Sequence, residues 1–334
     1  MYRQAPRRAT VQALIGLVMC ATATRVVADA SILFVRHSTL MVVASDGSHE
    51  RPLAVSARSL SAPAWSGAAR KVAATCVLTQ EGSSEICVVD TRTSSLQVLT
   101  DQAGIDAWPS WAPDGSRIVF ASERNASSFN VGNRDIYKMD AEGGGVTRLT
   151  ALVGWDSAPA WSPDGTWIAF ETSRDGPITG FISNKYVYVM DVDGGNLRNL
   201  TQHPAADVHP DWSPDGSQVV FTSTRDRSNW DIYVTNVDGT NTRRLTTHSL
   251  MDTEPAWSPD GAQIAFQSQR EGLYDIFVMD ADGANLRNVT RHPAWDREPD
   301  WVDHDFATSV SPVGKQPFTW GWLKQLGRGS RHRP

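Results

Sequence analysis

A six-bladed β-propeller of four-stranded antiparallel blades is the fold this sequence predicts. Three observations predict it: a tryptophan period, the turn chemistry between β-rich runs, and complementary fragments at the two ends. Trp-Ser-Pro-Asp-Gly stands unaltered at Trp161–Gly165, Trp212–Gly216 and Trp257–Gly261; Trp-Ala-Pro-Asp-Gly begins at Trp111, and degenerate copies begin at Trp65 and Trp301. The six tryptophans are 46, 50, 51, 45 and 44 residues apart. A period in the forties marks a repeat architecture.

The repeat from Asp252 shows each element in turn. Asp252–Trp257 runs into the turn Ser258-Pro259-Asp260-Gly261, and Gln263–Gln267 alternates as a strand. A polar loop to Leu273 precedes a third strand, Asp275–Met279. Asp282-Gly283-Ala284-Asn285 reverses the chain into a fourth, Leu286–Thr290. Pro, Gly and Asp at those places supply the backbone angles that tight turns need. Four short strands per repeat describe a propeller blade, and no helical apolar spacing supports a solenoid. The ends then close the count. Ile32–Val35, Leu40–Val43 and Asp46-Gly47 match the second, third and fourth strands of a repeat, and Asp296–Trp301 matches a lone opening strand. Joined, they make the sixth blade, with the ring closed by pairing of N- and C-terminal strands over residues 31–305.

These repeats resemble the WD40-like (PD40) β-propeller repeats of the TolB-like family, also found beside tricorn-type and dipeptidyl-peptidase-type proteases. The likeness runs through Trp257-Ser-Pro-Asp-Gly261, Ile264-Ala-Phe266, Asp275-Ile-Phe277-Val-Met-Asp280 and Asp282-Gly283, and recurs over nearly the whole chain. Ordinary WD40 repeats fit less well, because Trp-Asp pairs here do not close the third strand. The resemblance implies an α/β domain ahead of the propeller, whereas here 30 residues precede the first expected strand. No Gly-x-Ser-x-Gly nucleophile elbow indicates a hydrolase. The resemblance implies architecture and leaves activity open, since one fold hosts many functions.

Residues 1–30 read as a secretory signal: Arg3, Arg7 and Arg8, an apolar Val11–Met19, and Ala28-Asp29-Ala30 as a cleavage site. The apolar run is too short to span a bilayer, and Met19 makes a poor lipobox before Cys20. Periplasmic or secreted localisation follows as the expectation. The whole chain carries −6; residues 1–30 hold four Arg and one Asp, so the remainder carries −9. Residues 306–334 form a basic tail with five Lys/Arg and no acid, which leaves the propeller near −14. Such a ring is a poor partner for nucleic acid. Cys76 and Cys87 fall on adjacent strands of one blade, either as a disulfide or as two buried thiols.

Strand direction assigns every loop to a face. The Pro-Asp-Gly and Asp-Gly turns share one face and are near-uniform. The other face, at the channel mouth, holds the variable loops, including the long Arg124–Arg134 and Arg174–Lys185 with Phe129 and Phe181. Insertions on one face of a repeat ring mark the expected binding face. Five aspartates recur there six residues after a strand-ending Thr: Asp106, Asp156, Asp207, Asp252 and Asp296. Two residues on stand Ala62, Trp108, Ala158, His209, Glu254 and Glu298, which strand alternation turns the same way. Structural turn chemistry accounts for the aspartates as readily as recognition does. Trp155, Trp230 and Trp295 add aromatic surface suited to peptide or sugar contact.

The expected function is a non-catalytic, exported binding module of the cell envelope, monomeric, with a protein partner at the mouth. The resemblance implies a peptidoglycan-associated lipoprotein as one such partner. The alternative is a metal-dependent, lyase-like enzyme acting on polysaccharide, with His209, Glu254 and Glu298 holding a divalent cation such as Ca²⁺ or Mn²⁺. No cofactor is otherwise expected.

Overall fold

Asp260 shows how the third, fourth and fifth blades turn their first corner. Its Oδ1 accepts the Ala262 N–H at 3.0 Å and the Ser258 hydroxyl at 2.6 Å, while Ser258 Oγ accepts the Gln263 N–H at 2.8 Å. Asp164 and Asp215 repeat the arrangement with Ser162 and Ser213. The recurring letters of the repeat are thus self-contained turn chemistry.

The computed structural model describes residues 30–303 except 54, 56, 58, 79–82, 103, 127–132, 152–153, 176–184 and 227–228. Within these residues, 24 strands form six four-stranded antiparallel sheets. Five blades are continuous in sequence, starting at Ser59, Asp106, Asp156, Asp207 and Asp252. The sixth orders Asp296–Val302, Ser31–Arg36, Thr39–Ala44 and Arg51–Pro52, with Ile32 opposite Trp301 and Arg36 opposite Asp296. The predicted clasp of the two chain ends is therefore present.

The fourth strands are shorter than predicted. Arg287–Asn288 replaces the expected Leu286–Thr290. The reason lies in the strand-ending threonine, whose Oγ1 takes the Ile276 N–H at 3.1 Å and so substitutes for a ladder bond. Thr100, Thr150 and Thr246 do the same for Ile86, Ile136 and Ile232. Gly194 needs its glycine twice over: φ is 86°, and an added Cβ would lie 2.6 Å from Leu149 O in the preceding blade.

The core lies between blades. Phe34, Phe120, Phe170, Phe221 and Phe266 occupy one repeat position and are fully buried. The repeat tryptophans wedge against the preceding blade, and Trp111, Trp212 and Trp301 donate Nε1–H to the carbonyls of Ala64, Ala160 and Ala256 there. Cys76 and Cys87 form a disulfide between the second and third strands of the first blade, with Cα atoms 6.0 Å apart.

Candidate functional site at the channel mouth

Every opening strand breaks its register once. In the first five blades the break falls around Ala62, Trp108, Ala158, His209 and Glu254, and in the clasp it falls opposite Ser31–Arg36, around Glu298. All six residues have φ between 45° and 58°, and a proline follows each. A left-handed residue inside a strand is a bulge, which re-aims its side chain. Here the bulge separates two sets of residues that alternation had placed together. The six left-handed residues and their prolines line the central channel, a cavity of about 170 Å³. The five aspartates instead turn into their own blades.

Those aspartates are buried and held by arginine. Asp106, Asp156, Asp207 and Asp252 each receive an N–H from the arginine 18 residues on, Arg124, Arg174, Arg225 and Arg270, at 2.7–2.9 Å. Asp296 pairs with Arg36 at 2.5 Å. Each guanidinium also lies over one or two aromatic rings of its blade, such as Arg270 over Phe277 at 5.0 Å. The aspartate ring therefore carries the mouth from beneath. His203, His248 and His292 likewise build turns, their Nδ1 atoms accepting N–H bonds from Ala205, Leu250 and Ala294.

One side of the channel is acidic. Glu254, Glu298, Asp211 and Asp300 line it together with His209. Glu298 Oε2 accepts the Ala62 N–H at 2.6 Å, and His209 Nε2 lies 4.0 Å from Glu254 Oε1. Burial raises the pKa of both glutamates, and Glu298 adds repulsion at Glu254. Burial also pushes Asp211 up to about 6 against the N–H bonds of Trp257 and Trp212. It pushes Asp300 to about 7, with the Trp65 N–H opposing and Asp211 reinforcing. Burial lowers His209 despite Glu171 nearby, with Lys185 adding to the lowering. Glu171 is held at about 2 in spite of its burial, by Lys185 (2.5 Å), His209 and Ser157. Among the described residues, no group of three or more His, Cys, Asp or Glu side chains is arranged to hold a metal ion.

Asp211 and Asp300 take up protons on folding, so their contribution to stability is lost as pH rises from about 4 to 7. Asp300→Asn keeps an acceptor for the Trp65 N–H, gives up the one for the adjacent Trp301 N–H, and removes the buried charge. It is expected to be more stable than the wild type by roughly 1–3 kcal/mol at pH 8, converging towards pH 4. Urea midpoints at the two pH values measure this, and a variant less stable at pH 8 refutes it.

The aromatic residues fall into two groups. Trp155 is 44% exposed, and Arg134 lies between it and half-buried Trp108, at 5.3 and 4.9 Å from the rings. Across the mouth, Trp295 is 47% exposed and meets Tyr274 edge-on at 6.0 Å. The Tyr274 hydroxyl reaches Met251 Sδ at 3.5 Å, and exposed Leu250 and Leu273 flank this pair. Trp230 is half-buried, with its carbonyl accepting the Asp252 N–H at 2.9 Å. Phe129, Phe181, residues 1–29 of the expected signal and the basic tail lie outside the described residues.

Sequence reasoning missed the arginine partners, although their 18-residue spacing is visible. It also missed Asp211 and Asp300, whose signal is the acid directly before a repeat Trp. Glu171, Lys185 and the Leu250–Met251 pair gave no periodic signal.

The propeller is similar to known proteins. The family described as TolB beta propeller domain (PD40) matches residues 30–131 and 226–310, and Tricorn protease N-terminal beta propeller domain matches 128–230. The Tol-Pal system protein TolB of Bordetella pertussis is 33% identical over 150 residues, 45% of this chain and 31% of that protein. The match thus spans about a third of the curated relative's length. A crystal structure of TolB from Acinetobacter baumannii superposes with TM-score 0.70 at 25% identity, covering 81% of this chain and 66% of the other. The putative TolB from Agrobacterium tumefaciens gives 0.61 at 22%, covering 80% and 89%; this shows the fold alone.

Proposed function

The chain belongs to the TolB beta propeller domain family, and on that premise we propose that it is an exported, non-catalytic binding module of the cell envelope. It docks a protein partner on the channel-mouth face. The observation that carries this reading is the exposure of Trp155 and Trp295, with Leu250, Met251 and Leu273, around one end of the channel. Large apolar side chains on a rigid rim are the anchors from which interfaces draw most of their energy. The disulfide supports an oxidising compartment such as the periplasm. The relatives' place in a Tol-Pal system supports a peptidoglycan-associated lipoprotein as the partner.

Calorimetric titration of the mature chain with that lipoprotein from the same cells tests the reading. Trp295→Ala is expected to weaken binding at least about tenfold, or 1.4 kcal/mol, and Trp155→Ala by a similar factor. An undetectable wild-type affinity overturns the partner. Unchanged affinity in both variants overturns the mouth as its docking face.

A further inference from the structure

The clasp leaves a gap on the turn face, opposite the mouth. In the continuous blades, each Pro-Asp-Gly turn packs on the one before it: a methyl group placed on Gly165, Gly216 or Gly261 would lie 3.4, 3.6 or 3.6 Å from Pro113, Pro163 or Pro214. Pro259 comes next in this series. The first two strands of the sixth blade come from opposite ends of the chain, so no such turn joins them to cover it. In the vacated place is a groove of about 980 Å³ between the fifth and sixth blades. Its walls carry Asp46, Asp260, Asp280, Asp282 and Asp303 against a single cation, Arg287, and its floor includes Pro259, Ala262 and Ala281.

The chain itself holds a segment of the opposite character. Asp303, on the groove wall, directly precedes residues 304–334, which from Phe306 onward contain five Lys/Arg, no acid, and Trp320 and Trp322 between Lys315 and Lys324. Lys315 stands twelve positions beyond Asp303, which at about 3.3 Å per extended residue more than spans one blade.

We infer that the basic C-terminal segment folds back into this groove and takes the place of the missing turn. The two tryptophans cover the apolar floor, and Lys315 and Lys324 meet the aspartates. Charge pairs at such a rim are screened by salt, so the docking weakens at high ionic strength. The contact lies on the face away from the mouth and is independent of the docking reading above.

Two measurements on the full mature chain test it. Zero-length carbodiimide coupling of a mixture of isotopically light and heavy chains is expected to join Lys315 or Lys324 to Asp260, Asp280, Asp282 or Asp303 within one chain. In the full-length Lys315→Glu/Lys324→Glu variant, amide exchange at 260–263 and 280–285 is expected to speed up at least tenfold, with binding at the mouth unchanged as the control for folding. Links between light and heavy chains would show that a second copy fills the groove, and would overturn the inference. Exchange rates indifferent to the double substitution overturn it as well. So does protection that appears only on adding vesicles rich in anionic phospholipid.

Discussion

Trp301→Ala is expected to lower the free energy of unfolding by about 3–5 kcal/mol, the range for truncating a fully packed aromatic. The indole is 4% exposed, donates to the Ala256 carbonyl at 2.9 Å, and packs with Ile32, Phe34, Ile276 and Val278. It is also the residue through which the C-terminal strand grips the N-terminal one, since it stands opposite Ile32. Removing it opens a cavity at the seam of the ring, where no covalent turn ties the two strands together. Urea unfolding followed by far-ultraviolet circular dichroism measures the loss. Trp212→Ala, in a covalently continuous blade, is the comparison. A cost below about 2 kcal/mol for Trp301→Ala would mean that the indole does not hold the clasp.

Arg270→Met is expected to cost a similar amount, about 3–5 kcal/mol, because it strands a buried carboxylate. Asp252 is fully buried, and Arg270 supplies its guanidinium hydrogen bond at 2.7 Å. Met retains much of the packing over Phe266 and Phe277, so the loss isolates charge from volume. The double variant Arg270→Met/Asp252→Asn removes both charges and should recover part of the stability. A double variant no better than the single one would show that the arginine acts through packing instead.

Much of the fold was legible because each blade repeats its own turn chemistry. Ser258, Asp260 and Gly261 bond among themselves and their near neighbours, so their spacing reports the structure directly. The clasp was legible because Asp296–Trp301 repeats an opening strand and nothing after it repeats a second. The candidate site was only half legible. Strand alternation placed Asp252 and Glu254 on one face, but a bulge lies between them, and its left-handed residue carries no distinctive letter. Proline at 255 is the one trace, and by itself it predicts extended backbone rather than a bulge. Exposed Leu250 and Leu273 were invisible for a different reason. Their blades' counterparts are polar or small, so no periodicity singles them out.

The six bulges carry a consequence for how such a ring could change its ligand. Backbone torsions, following proline and neighbouring strands stay the same whether the exposed position holds Ala62, Trp108, His209 or Glu254. Chemistry at the lip is therefore decoupled from the scaffold, and each position behaves as an interchangeable socket. An aperture that is acidic on one side in this chain can be made neutral, cationic or aromatic by single exchanges while its architecture is inherited intact.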